Sequence, residues 1–162
     1  MRLRYDLRGR LATMMFAVFT IGAVALTSCD KDDDADNNAP YNISGDASGS
    51  QVVPAVTGNG TGTISGTYNP QTRVLNYSSN WNGLSGAPTT GGFYIGARGA
   101  SGTVVGTPWT IGANSTGTGS TSGTMTLTED QAKSFLDGGW YYTYGTTANP
   151  SGEVRGQIAA AR

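Results

Sequence analysis

Glu153, Arg155 and Gln157 stand two apart in the run Gly152-Glu153-Val154-Arg155-Gly156-Gln157-Ile158. On an extended strand such residues share one face. A carboxylate and a guanidinium there could hold an anionic ligand or a partner. They could equally form an ion pair and hydrogen bonds that anchor the strand. A Glu beside an Arg neutralises it, so the residues favour anchoring, with Arg155 partly buried and tied to Glu153 and to loop carbonyls. Tyr142 and Tyr144 make a second candidate. They share one strand face and Tyr141 takes the other, so at least one of the three is expected in solvent. Exposed rings on a β-protein can stack on sugars. Trp81, Trp109 and Trp140 read as core instead.

Catalysis finds little support. The 162 residues contain no His and one Cys. That excludes Ser-His-Asp and Cys-His machinery, imidazole metal sites, intrachain disulfides and four-thiolate zinc. A glycosidase needs two carboxylates across one cleft. Glu129, Asp130 and Asp137 belong to a helix and its end, and nothing in the sequence brings Asp46 to Glu153. No catalytic residue, metal or cofactor is expected. A formal charge of −1 and a pI near 5.2 also argue against a nucleic-acid partner.

Cys29 carries different chemistry. Arg2, Arg4, Arg8 and Arg10 precede an uncharged run from Leu11 to Leu26. A basic start, a short apolar core and small residues after it describe a secretory signal peptide over residues 1–28. Leu26-Thr27-Ser28-Cys29 resembles a bacterial lipobox, in which the Cys is lipidated and becomes the new N-terminus. Residues 29–40 hold five acids, one base and no aliphatic side chain larger than Ala. They are expected to form a disordered tether. Within it, Lys31-Asp32-Asp33 resembles the surface-export signal of some Gram-negative lipoproteins. A calcium loop starting at Asp30 would need Gly and Glu where Ala35 and Tyr41 stand. The expected placement is the outer membrane, lipid-anchored and facing the cell exterior.

The elements that must position the candidates lie in residues 41–162, which hold 23 Gly, 19 Thr and 13 Ser. Five bases and five acids leave this domain neutral. Alternation marks its strands. In Gly60 to Tyr68, Thr61, Thr63, Ser65 and Thr67 take one face. Arg73 to Trp81 returns with Leu75, Tyr77 and Trp81 together, after a turn at Asn69-Pro70-Gln71-Thr72. Phe93-Tyr94-Ile95, Thr103-Val104-Val105 and Trp109-Thr110-Ile111 are short strand candidates. Thr116 to Leu127, Trp140 to Thr147 and Glu153 to Ala159 follow, the last two joined by a turn at Asn149-Pro150-Ser151-Gly152. Thr128 and Gln131 form a capping box for one short helix, in which Phe135 and Leu136 could pack on the sheet and which Gly138 could end. The fold expected is all-β, an antiparallel sandwich or barrel.

The same residues resemble the CHRD domain, a family named for its occurrence in chordin. Ile43-Ser44-Gly45, Gln51-Val52-Val53-Pro54, Gly102-Thr103-Val104-Val105 and Thr128-Glu129-Asp130-Gln131 follow its order. The most specific piece is Asn149-Pro150-Ser151-Gly152-Glu153-Val154-Arg155-Gly156-Gln157-Ile158. The resemblance implies an immunoglobulin-like β-sandwich placed outside the cytoplasm. Many members carry His-x-His before the Gly-Val-Val strand and another His before Asn-Pro. This chain has Gly92-Phe93-Tyr94-Ile95-Gly96 and Gly145 there, and none of these can replace imidazole. The function expected is a membrane-anchored, non-catalytic binding or adhesion module for a protein or glycan. The alternative is a carbohydrate-binding module using exposed aromatics.

Overall fold

A computed structural model describes residues 38–112 and 115–162. The proposed signal peptide, Cys29 and the tether up to residue 37 lie outside the described residues. Among the described residues nine strands pair in a single sheet, and every pairing is antiparallel. They are β1 (Tyr41–Ser48), β2 (Thr61–Asn69), β3 (Val74–Asn82), β4 (Pro88–Ile95), β5 (Thr103–Val105), β6 (Gly119–Thr126), β7 (Trp140–Thr146), β8 (Val154–Gln157) and β9 (Ala159–Ala161). The order is β5-β4-β7-β8-β1-β2-β3-β6, and β9 pairs with β1 beside β8. Hydrogen bonding therefore runs through all nine strands. The sheet curls, so that β3 faces β4 and β7 across the core. Rings of Trp81 and Tyr144 lie 5.0 Å apart, and those of Tyr77 and Phe93 4.8 Å apart.

Alternation explains which face is buried. Gly62, Ile64 and Tyr68 on β2 and Leu75, Ser79 and Trp81 on β3 are buried, while Thr61, Thr63, Ser65 and Thr67 are exposed. Large rings and glycines are matched across the strands. Tyr77 stands between Gly66 and Gly123, and Trp81 between Gly62 and Gly119. Tyr144 faces Gly91, and Tyr142 faces Gly156. A Cβ on Gly123 would lie 2.6 Å from the Tyr77 hydroxyl, one on Gly156 2.7 Å from the Tyr142 ring, and one on Gly119 would strike the Trp81 indole. The rings lie flat over their neighbours only because those side chains are missing.

The helix α1 (Glu129–Leu136) starts at the expected capping box: Thr128 Oγ1 accepts from Gln131 N and Gln131 Oε1 accepts from Thr128 N. Gly138 (φ 73°) ends it, with Gly138 N donating to Phe135 O and Gly139 N to Ser134 O. Phe135 is buried, but Leu136 is exposed, so only one of the two packs on the sheet. Trp109-Thr110-Ile111 is not a strand. It lies in a loop, where Trp109 N donates to Gly91 O at 2.8 Å and the ring stacks on Tyr77. The apolar run signalled burial, and the buried surface is a core filled from a loop.

The ring–glycine match yields a test. Gly119→Ala should lose about 1–3 kcal/mol in denaturant melts, because the Trp81 ring must move. Gly86→Ala has open space around it and should be neutral or slightly stabilising. Equal effects at the two sites would refute the match.

Candidate functional site

The closing motif occupies β8 and the turn before it. Strand β8 is interior, paired with β7 along its length and with β1 at Ser48↔Arg155. The turn closes through Gly152 N donating to Asn149 O, and Gly152 sits at φ 136°. Glu153 precedes β8, so the two-residue alternation does not govern its side chain. Its carboxylate turns to the end of the sheet. Oε1 accepts from Ser85 N at 2.7 Å, and Oε2 accepts from Ser85 Oγ at 2.5 Å and Thr146 Oγ1 at 2.6 Å. These bonds tie the β3–β4 loop to the end of β7.

Arg155 goes elsewhere. It is 4% exposed, and its guanidinium donates to Ala97 O at 2.7 Å and Ala100 O at 2.8 Å. Its Cζ lies 3.7 Å from the centroid of the Tyr141 ring, which in turn stacks on Tyr94. Gln157 Nε2 donates to Gly96 O and Gly138 O, both at 3.0 Å, and Tyr141 Oη accepts from Gly102 N. Arg155, Gln157 and Tyr141 thus pin the loop of residues 96–102 across the outer face of the sheet. Arg is suited to this, because its fixed fork reaches two carbonyls at once while its plane lies on a ring.

The expected Glu153–Arg155 ion pair is therefore absent. Among the described residues the salt bridge found is Lys133–Asp137, exposed on α1. Burial pushes the Glu153 carboxyl up, and the hydrogen bonds from Ser85 and Thr146 outweigh it, leaving its pKa below the ordinary value. Burial lowers the pKa of Arg155, Tyr141 raises it and Arg98 lowers it further.

Tyr142 and Tyr144 also differ from expectation. Both have no exposed surface, and Tyr141 is buried as well. Tyr142 Oη donates to Gly45 O and Tyr144 Oη to Ser79 Oγ. Burial drives both phenol pKa values up strongly. A ring without an accessible face cannot stack on a sugar. Tyr141 and Tyr142 do take opposite faces, but both faces are buried there: the core covers Tyr142 and the 96–102 loop covers Tyr141. Trp81, Trp109 and Trp140 are core as expected.

Several contacts had weak signals in the sequence. Ser85 and Thr146 are two among many hydroxyl residues, and their approach to Glu153 is tertiary. They border a shallow depression of about 400 Å³ lined also by Gly86, Ala87, Thr89, Thr147 and Ala148. Among the described residues no three His, Cys, Asp or Glu side chains group as a metal site would require.

The family model described as the CHRD domain matches residues 43–158. No curated protein and no solved structure matches the chain.

Two measurements test this geometry. Arg155→Ala removes two charged hydrogen bonds and should cost about 2–4 kcal/mol. Glu153→Gln can keep an oxygen on the Ser85 N–H but puts an amide donor where the Ser85 and Thr146 hydroxyls now donate, and should cost about 1–3 kcal/mol. The two share no partner, so the double variant should be additive within about 0.5 kcal/mol. A coupling above about 1 kcal/mol would mean that they do pair. Glu153 also sets an acid dependence. Its folded pKa lies below the ordinary 4.5, so the unfolded chain binds the proton more readily. The stability it contributes is present above pH 4.5 and is lost as pH falls through the folded value. Glu153→Gln should flatten that part of the stability profile, and an unchanged acid limb would refute the assignment.

Proposed function

The chain belongs to the CHRD-domain family, and on that premise we propose that it is a non-catalytic binding or adhesion module, held outside the cytoplasm by a lipid on Cys29. One observation carries the reading: the polar side chains of the family's closing motif are engaged within the fold. Glu153 holds a loop and a strand end, while Arg155 and Gln157 hold the loop of residues 96–102. A buried, satisfied polar network specifies a rigid scaffold. Ser85 has its hydroxyl against a carboxylate, but a carboxylate of lowered pKa is a poor general base. We also read the curled sheet as the immunoglobulin-like sandwich of the family, its two layers being the β1-β2-β3-β6 and β5-β4-β7-β8 halves.

In this proposal residues 1–28 are a signal peptide, Cys29 is the mature N-terminus, and residues 29–40 tether the domain to the outer membrane on the exterior side. Several acyl chains would hold such an anchor far more firmly than one, at about 0.8 kcal/mol per buried CH₂. The partner is a protein or a glycan. A neutral domain offers no electrostatic basis for nucleic acid.

Mass spectrometry of the membrane-extracted protein should find a lipidated Cys29 at the N-terminus; an intact Met1, or Cys29 without lipid, would overturn the anchor. Cys29→Ala should release the protein from membranes with the domain's thermal melt unchanged. Cells bearing the wild-type chain should bind protein-matrix or glycan-coated surfaces better than cells bearing Cys29→Ala. Turnover of glycans or esters by the purified protein would overturn the non-catalytic reading.

A further inference from the structure

Strand β6 ends the sheet, and among the described residues nothing pairs with its outer edge. Its eight residues pair with β3 in unbroken register from Val74↔Thr126 to Trp81↔Gly119. Among the described residues no backbone hydrogen bond reaches its other side. Proteins protect such edges with charges, proline, bulges, short length or a covering segment. The opposite edge, β5, is only three residues long, with Gly106 (φ 67°) just after it. The open side of β1 beyond β8 is covered by β9. Among the described residues strand β6 has none of these devices. It reads Gly-Ser-Thr-Ser-Gly-Thr-Met-Thr without a bulge, and no charged residue occurs from Gly99 to Thr128.

We propose that the β6 edge is a strand-addition site, and that its occupant is β6 of a second copy, antiparallel across a two-fold axis. In strand addition main-chain hydrogen bonds provide affinity, and pockets for alternate side chains select the partner. The β6 faces carry only short side chains apart from Met125, so nothing there selects a foreign sequence. A second copy matches the edge in length, direction and hydrogen-bonding pattern, as an isologous contact requires. Paired residues in antiparallel strands share a face. Ser120, Ser122, Thr124 and Thr126, all exposed, would therefore meet only one another. No like charges are brought together, because the strand has none. A contact of one strand pair falls in the small, transient class of interfaces. This inference does not depend on what the module binds.

Sedimentation of the full chain over a wide concentration range tests it, read together with hydrogen exchange. The expected result is a reversible monomer–dimer equilibrium, with amide protection in residues 119–126 rising with concentration. Ser122→Lys should weaken the dimer roughly fivefold or more through like-charge repulsion, with an unchanged thermal melt. Mixing Ser122→Lys with Ser122→Glu should restore association. A monomer at every concentration would overturn the proposal. So would a dimer indifferent to Ser122→Lys, or one whose protection rises elsewhere.

Discussion

Four large rings of the core lie beside glycines on neighbouring strands, and much of the packing of this domain follows from that steric match. Tyr77 and Trp81 each lie in a row with glycine on both sides, and Tyr142 and Tyr144 each face one glycine. The rings can then lie along the sheet and touch rings from the facing half. Tyr77, Phe93, Trp109 and Tyr144 form a continuous set of contacts in this way. Trp109 enters from a loop because Gly91 leaves room beneath it: a Cβ there would lie 3.1 Å from its ring. Aromatic rings supply large apolar area per residue, which lets a domain poor in Leu and rich in Gly close a core.

The phenol oxygens in such a core must still find acceptors, since an unpaired buried hydroxyl costs roughly 1–3 kcal/mol. The pairing across the core meets that demand. Tyr144 reaches Ser79, Ser79 donates to Thr63 O, and Tyr142 reaches Gly45 O. The two tyrosine bonds join β7 to β3 and β1, so the polar atoms of the core also fix how the facing parts of the curled sheet meet. Strand β8 and the residues flanking it serve both faces. Gly152 shapes the turn, Val154 and Ile158 enter the core, Gly156 admits the Tyr142 ring, and Glu153, Arg155 and Gln157 hold loops. Each residue from Gly152 to Ile158 has a structural task.

That economy moves the interaction surfaces away from the residues with the strongest chemical character. The charged side chains of the motif are buried, and so are the tyrosines of β7. What the described residues leave exposed is an almost uncharged sheet face and the β6 edge. Both suit contact through shape and main-chain hydrogen bonding rather than through charge.

Much of this was legible in the residues themselves. The period-two runs from Gly60 to Trp81, the Asn-Pro-Ser-Gly turn and the Thr128–Gln131 capping box are local signals, read within a few residues of chain. The all-β class and the helix follow from them, and the neutrality of the domain follows from its five bases and five acids. The sequence could not say what Glu153 and Arg155 touch. Spacing put them on one strand face, but the strand begins one residue later, and their partners Ser85, Ala97 and Ala100 come from distant loops. Nor could it show that Tyr141 and Tyr142 are both buried. Alternation assigns them to opposite faces, and only the tertiary fold, by laying the 96–102 loop over the outer one, removed both from water.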